Sequence, residues 1–235
     1  SLFVAEGAEW MWQRRTAAPV FTHRNVAALA PVMTAAADRA SARLVPGRAA
    51  NLFDEMVTAT FEVISDVTFS GGEGFDRASV HTAIEHYMAQ TAKVSLLDIL
   101  GAPAWVPRPG RMITGGAMRS MRRVADRAID QRRAEGAKPV PDLLDLLMAG
   151  EDPKSGRRMT TPELRDNLLT FIVAGHETTA LTLSWALYLC AFAPQIQAAA
   201  RAQAQAVLGE RAATAADVAD LPLIRQIVDE TLRLY

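Results

Sequence analysis

Between Thr161-Pro162-Glu163 and Pro194 the chain holds no helix breaker except one glycine, and this uninterrupted run constrains the fold more than any other feature. Thr161 reads as an N-cap, Pro162 as the first helical residue and Glu163 as an acid set against the positive end of the helix dipole. The run predicts one helix of about 32 residues, roughly 50 Å long at 1.5 Å per residue. Such a helix is a spine for others to pack against. Its centre, Phe171-Ile172-Val173-Ala174-Gly175-His176-Glu177-Thr178-Thr179, departs from simple packing. Glycine costs about 1 kcal/mol against alanine inside a helix, and a buried carboxylate costs more unless it is paired. Ala174 and Thr178 lie four residues apart on one face, Gly175 stands three before Thr178, and Glu177 points about 100° away. The Thr178 hydroxyl can reach the Ala174 carbonyl, a bond that loosens a helical turn. Two readings stay open: an acid–alcohol pair beside a gap that admits a flat ligand or a water, and a helix–helix crossing with Gly175 at the contact and Glu177 salt-bridged.

Half of the 235 residues are apolar and 6% are aromatic, a balance that favours an all-α protein over a sheet-rich one. Trp10 to Arg15 reads as a short helix closed by Pro19, and Asn25 to Leu44 as a second, ending at Pro46-Gly47. Phe53, Met56, Val57, Phe61, Ile64 and Val67 make one apolar face of a helix over Leu52 to Phe69, stopped by Ser70-Gly71-Gly72. Val80 to Leu100 reads as helical, and Gly101 to Gly110, with three prolines, as a loop. Met112 to Glu135 is a long helix whose arginines (Arg119, Arg122, Arg123, Arg127, Arg132 and Arg133) read as a solvated face. Pro141 to Met148 is a short helix, and Gly150 to Met159 a polar turn or small hairpin. After the spine, Gln195 to Leu208 is an amphipathic helix closed by Gly209, and Leu223 to Leu234 the last helix. No repeat, linker or domain boundary stands out, so residues 1–235 read as a single domain.

The net charge of −1 gives no basic footprint for nucleic acid. One cysteine, Cys190, excludes an intrachain disulfide and any multi-cysteine zinc site, and fits a reducing, cytoplasmic setting. The apolar run from Ala180 to Ala193 is too short to span a bilayer. His176-Glu177 begins like a zinc-protease helix, but the second histidine of that motif would fall at position 180, which is Ala180. His81 and His86 do not share a helix face, and His23 is isolated, so the histidines read as surface or capping residues and no metal ligand is expected among them. The chain starts at Ser1 and ends at Tyr235 inside a helical pattern, which reads as a piece cut at both ends.

Two further pairs gain meaning from their order. Glu230 and Arg233 are three apart on the last helix, a spacing that by itself signals a surface ion pair. Trp10 and Arg14 share a helix face and combine an indole N–H with a forked cation suited to an anion. Ala174-Gly175-His176-Glu177-Thr178-Thr179 on a long helix, followed by Glu230-x-x-Arg233, resembles the cytochrome P450 family of haem-thiolate monooxygenases. Gly7-Ala8-Glu9-Trp10, Arg14-Arg15 and Pro19-x-Phe21 are similar to that family's Trp-x-x-x-Arg helix. Asp142-Leu143-Leu144-Asp145-Leu146-Leu147 and Leu164-Arg165-Asp166-Asn167-Leu168 resemble the approach to its long distal helix. The resemblance covers the whole chain.

It implies the central portion of the P450 fold, a haem b cofactor, and an oxidoreductase that inserts one atom of O2 into a lipophilic organic substrate. Thr178 would hydrogen-bond the oxygen at the haem iron and its ordered water, and Glu177 would relay protons to it. Ala174 and Gly175 would line the distal face of the haem. Trp10 and Arg14 would hydrogen-bond a propionate, and Glu230 with Arg233 would form a structural salt bridge on the proximal side. Electrons would come from a ferredoxin, a flavodoxin or a reductase. The Gly-His-Glu-Thr-Thr form is similar to members acting on fatty acids and related molecules. One departure matters: the family's axial ligand is a cysteine thiolate on a glycine-rich loop beyond the Glu-x-x-Arg helix. Cys190, on the spine three turns past Thr178, cannot substitute and reads as a buried structural residue. The thiolate promotes O–O cleavage, so residues 1–235 are expected to be inactive alone. The alternative is a non-catalytic helical binding or interaction module that keeps the scaffold, and a plain helical domain is a third. A Phe-x-x-Gly-x-x-x-Cys-x-Gly-like loop after Tyr235 would separate the first from the second.

Overall fold

The computed structural model describes residues 1–69, 82 and 109–235. Its regular elements there are helical, with one isolated antiparallel bridge between Glu151 and Arg158. The α-helices are α1 (Gly7–Ala17), α2 (His23–Ala28), α3 (Ala30–Arg43), α4 (Leu52–Phe69), α5 (Pro109–Glu135), α6 (Leu143–Ala149), α7 (Thr161–Phe192), α8 (Pro194–Leu208) and α9 (Pro222–Leu234). They cluster into two compact units. One comprises Ser1–Ala17 and Phe69–Val173, the other Ala18–Thr68 and Ala174–Tyr235, so α7 contributes to both. Apart from Thr82, the helix expected over Val80 to Leu100 and the loop over residues 101–108 lie outside the described residues.

The spine is α7, 32 residues long. Leu164, Leu168, Ile172, His176 and Ala180, spaced by four, form its buried stripe, the pattern of a helix that packs one ridge into its neighbours. The N-cap is Thr160 rather than Thr161. The Thr160 carbonyl accepts from the Leu164 N–H at 2.9 Å, and its own N–H and hydroxyl both donate to Glu163 Oε2 at 2.8 Å. That is the back-bond of a capping box, with the acid at the third helical position. Thr161 Oγ1 is taken instead by Arg133 Nη1 at 2.6 Å.

The helix expected over Asn25 to Leu44 is in fact two, α2 and α3, meeting at Leu29. Pro31 explains the break: it has no N–H to donate, and its ring excludes the carbonyl four residues back, so it fits only the first turn of a new helix. α5 likewise starts at Pro109, taking in the last two residues of the expected loop. The hairpin expected over Gly150 to Met159 is present in miniature: Asp152 N–H donates to the Arg157 carbonyl at 2.9 Å and Gly156 N–H to the Asp152 carbonyl at 2.8 Å. α8 stops at Gly209, whose φ of 58° lies in the left-handed region that a residue with a Cβ avoids. No single helix among the described residues is long and apolar enough to cross a membrane.

The basic helix α5 departs from its expected solvated face at one residue. Arg119, Arg122, Arg123, Arg127 and Arg133 are exposed, but Arg132 is only 6% exposed. It lies across the N-terminus of α6, donating from both Nη atoms to Asp142 at 2.9 Å and lying 2.7 Å from Asp145. Asp142 is also the N-cap of α6, in a reciprocal capping box with Asp145. A buried guanidinium survives because two carboxylates neutralise it and fill its donors.

Candidate functional site

In the second unit, the centre of α7 divides into two faces. His176 is in the helix contact rather than at the surface. It is 5% exposed, its carbonyl accepts from Thr60 Oγ1 of α4 at 2.8 Å, and its ring meets Phe61 edge-on at 6.2 Å. Gly175 belongs to the same contact. A Cβ there would lie 3.2 Å from Ile64 Cδ1 and 3.4 Å from Ile64 Cγ1, so the missing side chain lets α4 approach α7. Gly175→Ala therefore displaces only the flexible end of Ile64, and gains helix propensity of up to about 1 kcal/mol against that strain. Gly175→Val adds two further carbons to a filled contact and is expected to lower stability by about 1–3 kcal/mol, read as a shift in urea midpoint at constant slope.

The other face is open. Ala174 and Thr178 are both exposed, as is Leu181 one turn on. The Thr178 hydroxyl donates to the Ala174 carbonyl at 2.7 Å, the bond expected from their spacing. Glu177, between the two faces, is half-buried, and no hydrogen bond or ion pair holds it among the described residues. The helix crossing expected at Gly175 is present, without the salt bridge expected of Glu177 among the described residues, and Ala174 and Thr178 lie on the opposite, open side of the helix. No group of three or more His, Cys, Asp or Glu that could hold a metal ion occurs among the described residues.

In the first unit, Trp10 and Arg14 share the outer face of α1, with the guanidinium carbon 5.6 Å from the indole centroid. Both are exposed. The inner side of α1 carries residues that the sequence reading did not single out. Glu9 accepts from Trp12 Nε1 and from Gln13 Nε2, each at 2.8 Å, and these two bonds draw its carboxyl below the ordinary range. Arg157 stacks on Trp12 with its guanidinium carbon 3.8 Å from the ring centroid. Glu9 stands three before Trp12 and four before Gln13, a spacing that could have flagged the bonds; the Arg157 contact has no local signal.

On α9, Arg233 grips Glu230 with a fork, Nη2 to Oε1 at 2.6 Å and Nε to Oε2 at 2.7 Å. The hydrogen bonds to Arg233 hold the Glu230 carboxyl below its ordinary range, although both side chains are more than half exposed. Glu230 also borders a groove of 250 Å³ with Leu189, Cys190, Ile196, Ile227 and Thr231. Cys190 is half-buried there rather than fully buried. Of the residues singled out in the sequence, Trp10 and Arg14 fall in the first unit, and Ala174, Gly175, Glu177, Thr178, Glu230 and Arg233 in the second.

Taken each within its own unit, these groups suit parts of a flat, mostly apolar cofactor with anionic substituents. The Ala174–Thr178 face offers small side chains and one hydroxyl, and the α1 face offers an indole N–H and a guanidinium. The Cytochrome P450 family pattern matches residues 1–235. Over its whole length the chain is 30% identical to cyclooctat-9-en-7-ol 5-monooxygenase of Streptomyces melanosporofaciens, covering 51% of that protein. It is also 30% identical, over 99% of its length, to the bifunctional cytochrome P450/NADPH–P450 reductase ALT2 of Alternaria alternata, covering 22% of it. Among solved structures, the cytochrome P450DA haem domain superposes with a TM-score of 0.85 at 26% identity, over 99% of this chain and 51% of that one. The chain belongs to the cytochrome P450 family. It spans about half the length of the Streptomyces relative.

Proposed function

We propose that this chain supplies the oxygen-activating side of a haem-thiolate monooxygenase acting on a lipophilic organic substrate. The observation that carries the reading is the open face of α7, where the Thr178 hydroxyl lies 2.7 Å from the Ala174 carbonyl next to Glu177, which has no partner among the described residues. Bound haem supplies the redox chemistry: O2, two electrons and two protons convert a C–H bond to C–OH and release water. The protein's part is to bring the protons. With its single hydrogen donated to Ala174, Thr178 turns its lone pairs outward, where they accept from a water. Rotation about χ1 releases that hydrogen for donation to an oxygen acceptor. Glu177, half-buried and without a partner among the described residues, is the group that reloads this site with protons from solvent. Ala174 leaves room on the same face, and Leu181 gives it an apolar border that suits a lipophilic substrate. Trp10 and Arg14 hold an anionic propionate, and Glu230 with Arg233 brace α9. Electrons arrive from a ferredoxin, a flavodoxin or a reductase, the last being fused to the cytochrome in the Alternaria relative.

The axial thiolate has no candidate in residues 1–235. The one cysteine, Cys190, sits in the groove with Leu189, Ile196 and Ile227 on the C-terminal half of α7, three turns beyond Thr178. Residues 1–235 expressed alone are therefore expected to lack the reduced, carbon-monoxide-bound Soret band of a haem thiolate, whereas the complete polypeptide shows it. A complete polypeptide without that band would favour the non-catalytic module, and the band in residues 1–235 alone would return the ligand role to Cys190.

A further inference from the structure

α1 presents Trp10 and Arg14 outward and is fastened on its other side at three successive points, all within the first unit. Asn167 of α7, fully buried, donates from Nδ2 to Gln13 Oε1 at 3.0 Å and to the Glu163 carbonyl at 2.9 Å, and its Oδ1 accepts from the Leu2 N–H at 2.7 Å. Every polar atom of that amide is in use. Gln13 in turn donates to Glu9 at 2.8 Å. Two residues on, Arg15 forks onto Asp152, Nε to Oδ1 at 2.6 Å and Nη2 to Oδ2 at 2.9 Å. Asp152 is fully buried and also accepts from Ser155 Oγ at 2.6 Å. At the next residue, Gly150 packs so closely on Thr16 that a Cβ would meet the Thr16 carbonyl oxygen and Cγ2 at 3.2 Å.

We propose that Asn167 and Asp152 are positioning residues that set the roll of α1 and thereby aim Arg14 at a haem propionate. This rests on the haem reading given above. Apolar contact alone, such as that of Trp12 and Ala17, is non-directional and tolerates rotation of a helix about its axis. Hydrogen bonds to buried amides and carboxylates do not. A roll of about 20° carries a side chain at an outer radius of roughly 6 Å through about 2 Å. That displacement exceeds the tolerance of a charge-assisted hydrogen bond. Gln13 and Arg14 are consecutive, so what fixes the first fixes the second. The locks come from the hairpin over Glu151–Arg158 and the first turns of α7, and they tie α1 to the beginning of the same helix that carries Thr178.

The test is a double-mutant cycle on the haem-loaded complete polypeptide, read as the rate of haem loss to excess apomyoglobin. Arg14→Ala is expected to speed haem loss about tenfold, the loss of one charge-assisted bond. Gln13→Met, which removes the acceptor for Asn167, is expected to speed it severalfold. If Asn167 acts through Arg14, adding Gln13→Met to Arg14→Ala changes the rate no further. Effects that multiply would show a general structural loss and overturn the positioning role, as would an unchanged rate in Gln13→Met. An unchanged rate in Arg14→Ala would instead overturn the propionate reading itself, and the positioning role with it. Should Gln13→Met fail to fold, Arg15→Lys runs through the same cycle: it keeps the charge, loses the fork onto Asp152, and must likewise have no effect once Arg14 is alanine.

Discussion

Replacing Arg132 with methionine is expected to lower the unfolding free energy by about 3–5 kcal/mol, the usual result of removing one partner from a buried ion cluster. Burial alone would lower the pKa of this guanidinium, but the hydrogen bonds and charges of Asp142 and Asp145 override it and raise the pKa above its ordinary value. The reciprocal statement is that Asp142 and Asp145, both buried, are tolerated as carboxylates because Arg132 faces them. Methionine fills much of the same volume, so a cavity contributes little and the loss measures unpaired charge. The urea midpoint should fall with little change in slope. Arg132→Met/Asp142→Asn/Asp145→Asn should recover a large part of the loss, because asparagine removes the charge and still caps α6. A fall under about 1 kcal/mol in the single variant, the size of a surface pair, would show that the cluster does not hold α5 to α6.

Arg132 also marks where reading the sequence stops. It sits in a run of six arginines, and helical periodicity cannot tell which of them turns inward, because the deciding partners lie across the 136–141 connection. Asn167 is harder still: Leu2 and Gln13 are 165 and 154 residues away in the chain, and no local pattern announces the bonds. By contrast, α4 was legible to the residue and α7 to within one residue at its N-cap, since an apolar face repeating every three or four positions between clear stop signals is a local property. Thr178 with Ala174, Trp10 with Arg14, and Glu230 with Arg233 were legible for the same reason, each pair lying one helical turn apart. Gly175 was half legible. Its spacing implied a close approach, but only the structure supplies Ile64 as the approaching side chain. The break at Leu29 was legible in principle through Pro31, and was missed because the apolar pattern continues across it.

Thr178→Ala is expected to leave the fold intact and to cut product formed per electron pair consumed by on the order of tenfold in the complete enzyme. The two halves of that expectation come from the same bond. Thr178 is exposed and its hydroxyl bonds the carbonyl one turn back, an arrangement that stabilises a helix little and tends to bend it. Alanine is the better helix former, so the change in stability should stay within about 0.5 kcal/mol. What alanine removes is a hydroxyl that can both accept from a water and donate into the space beside Ala174. Without it, protons arrive out of place, and electrons delivered to oxygen leave as hydrogen peroxide instead of appearing in product. Thr178→Ser keeps the hydroxyl and should restore most of the coupling, although serine's freer rotation about χ1 makes full recovery unexpected. Unchanged coupling in Thr178→Ala would remove the proton-delivery role from this residue, and Glu177 would then have to act without it. A coupling loss that serine does not repair would point to the threonine methyl, which serine lacks, rather than to the hydroxyl, and comparing the two variants at equal stability decides between them.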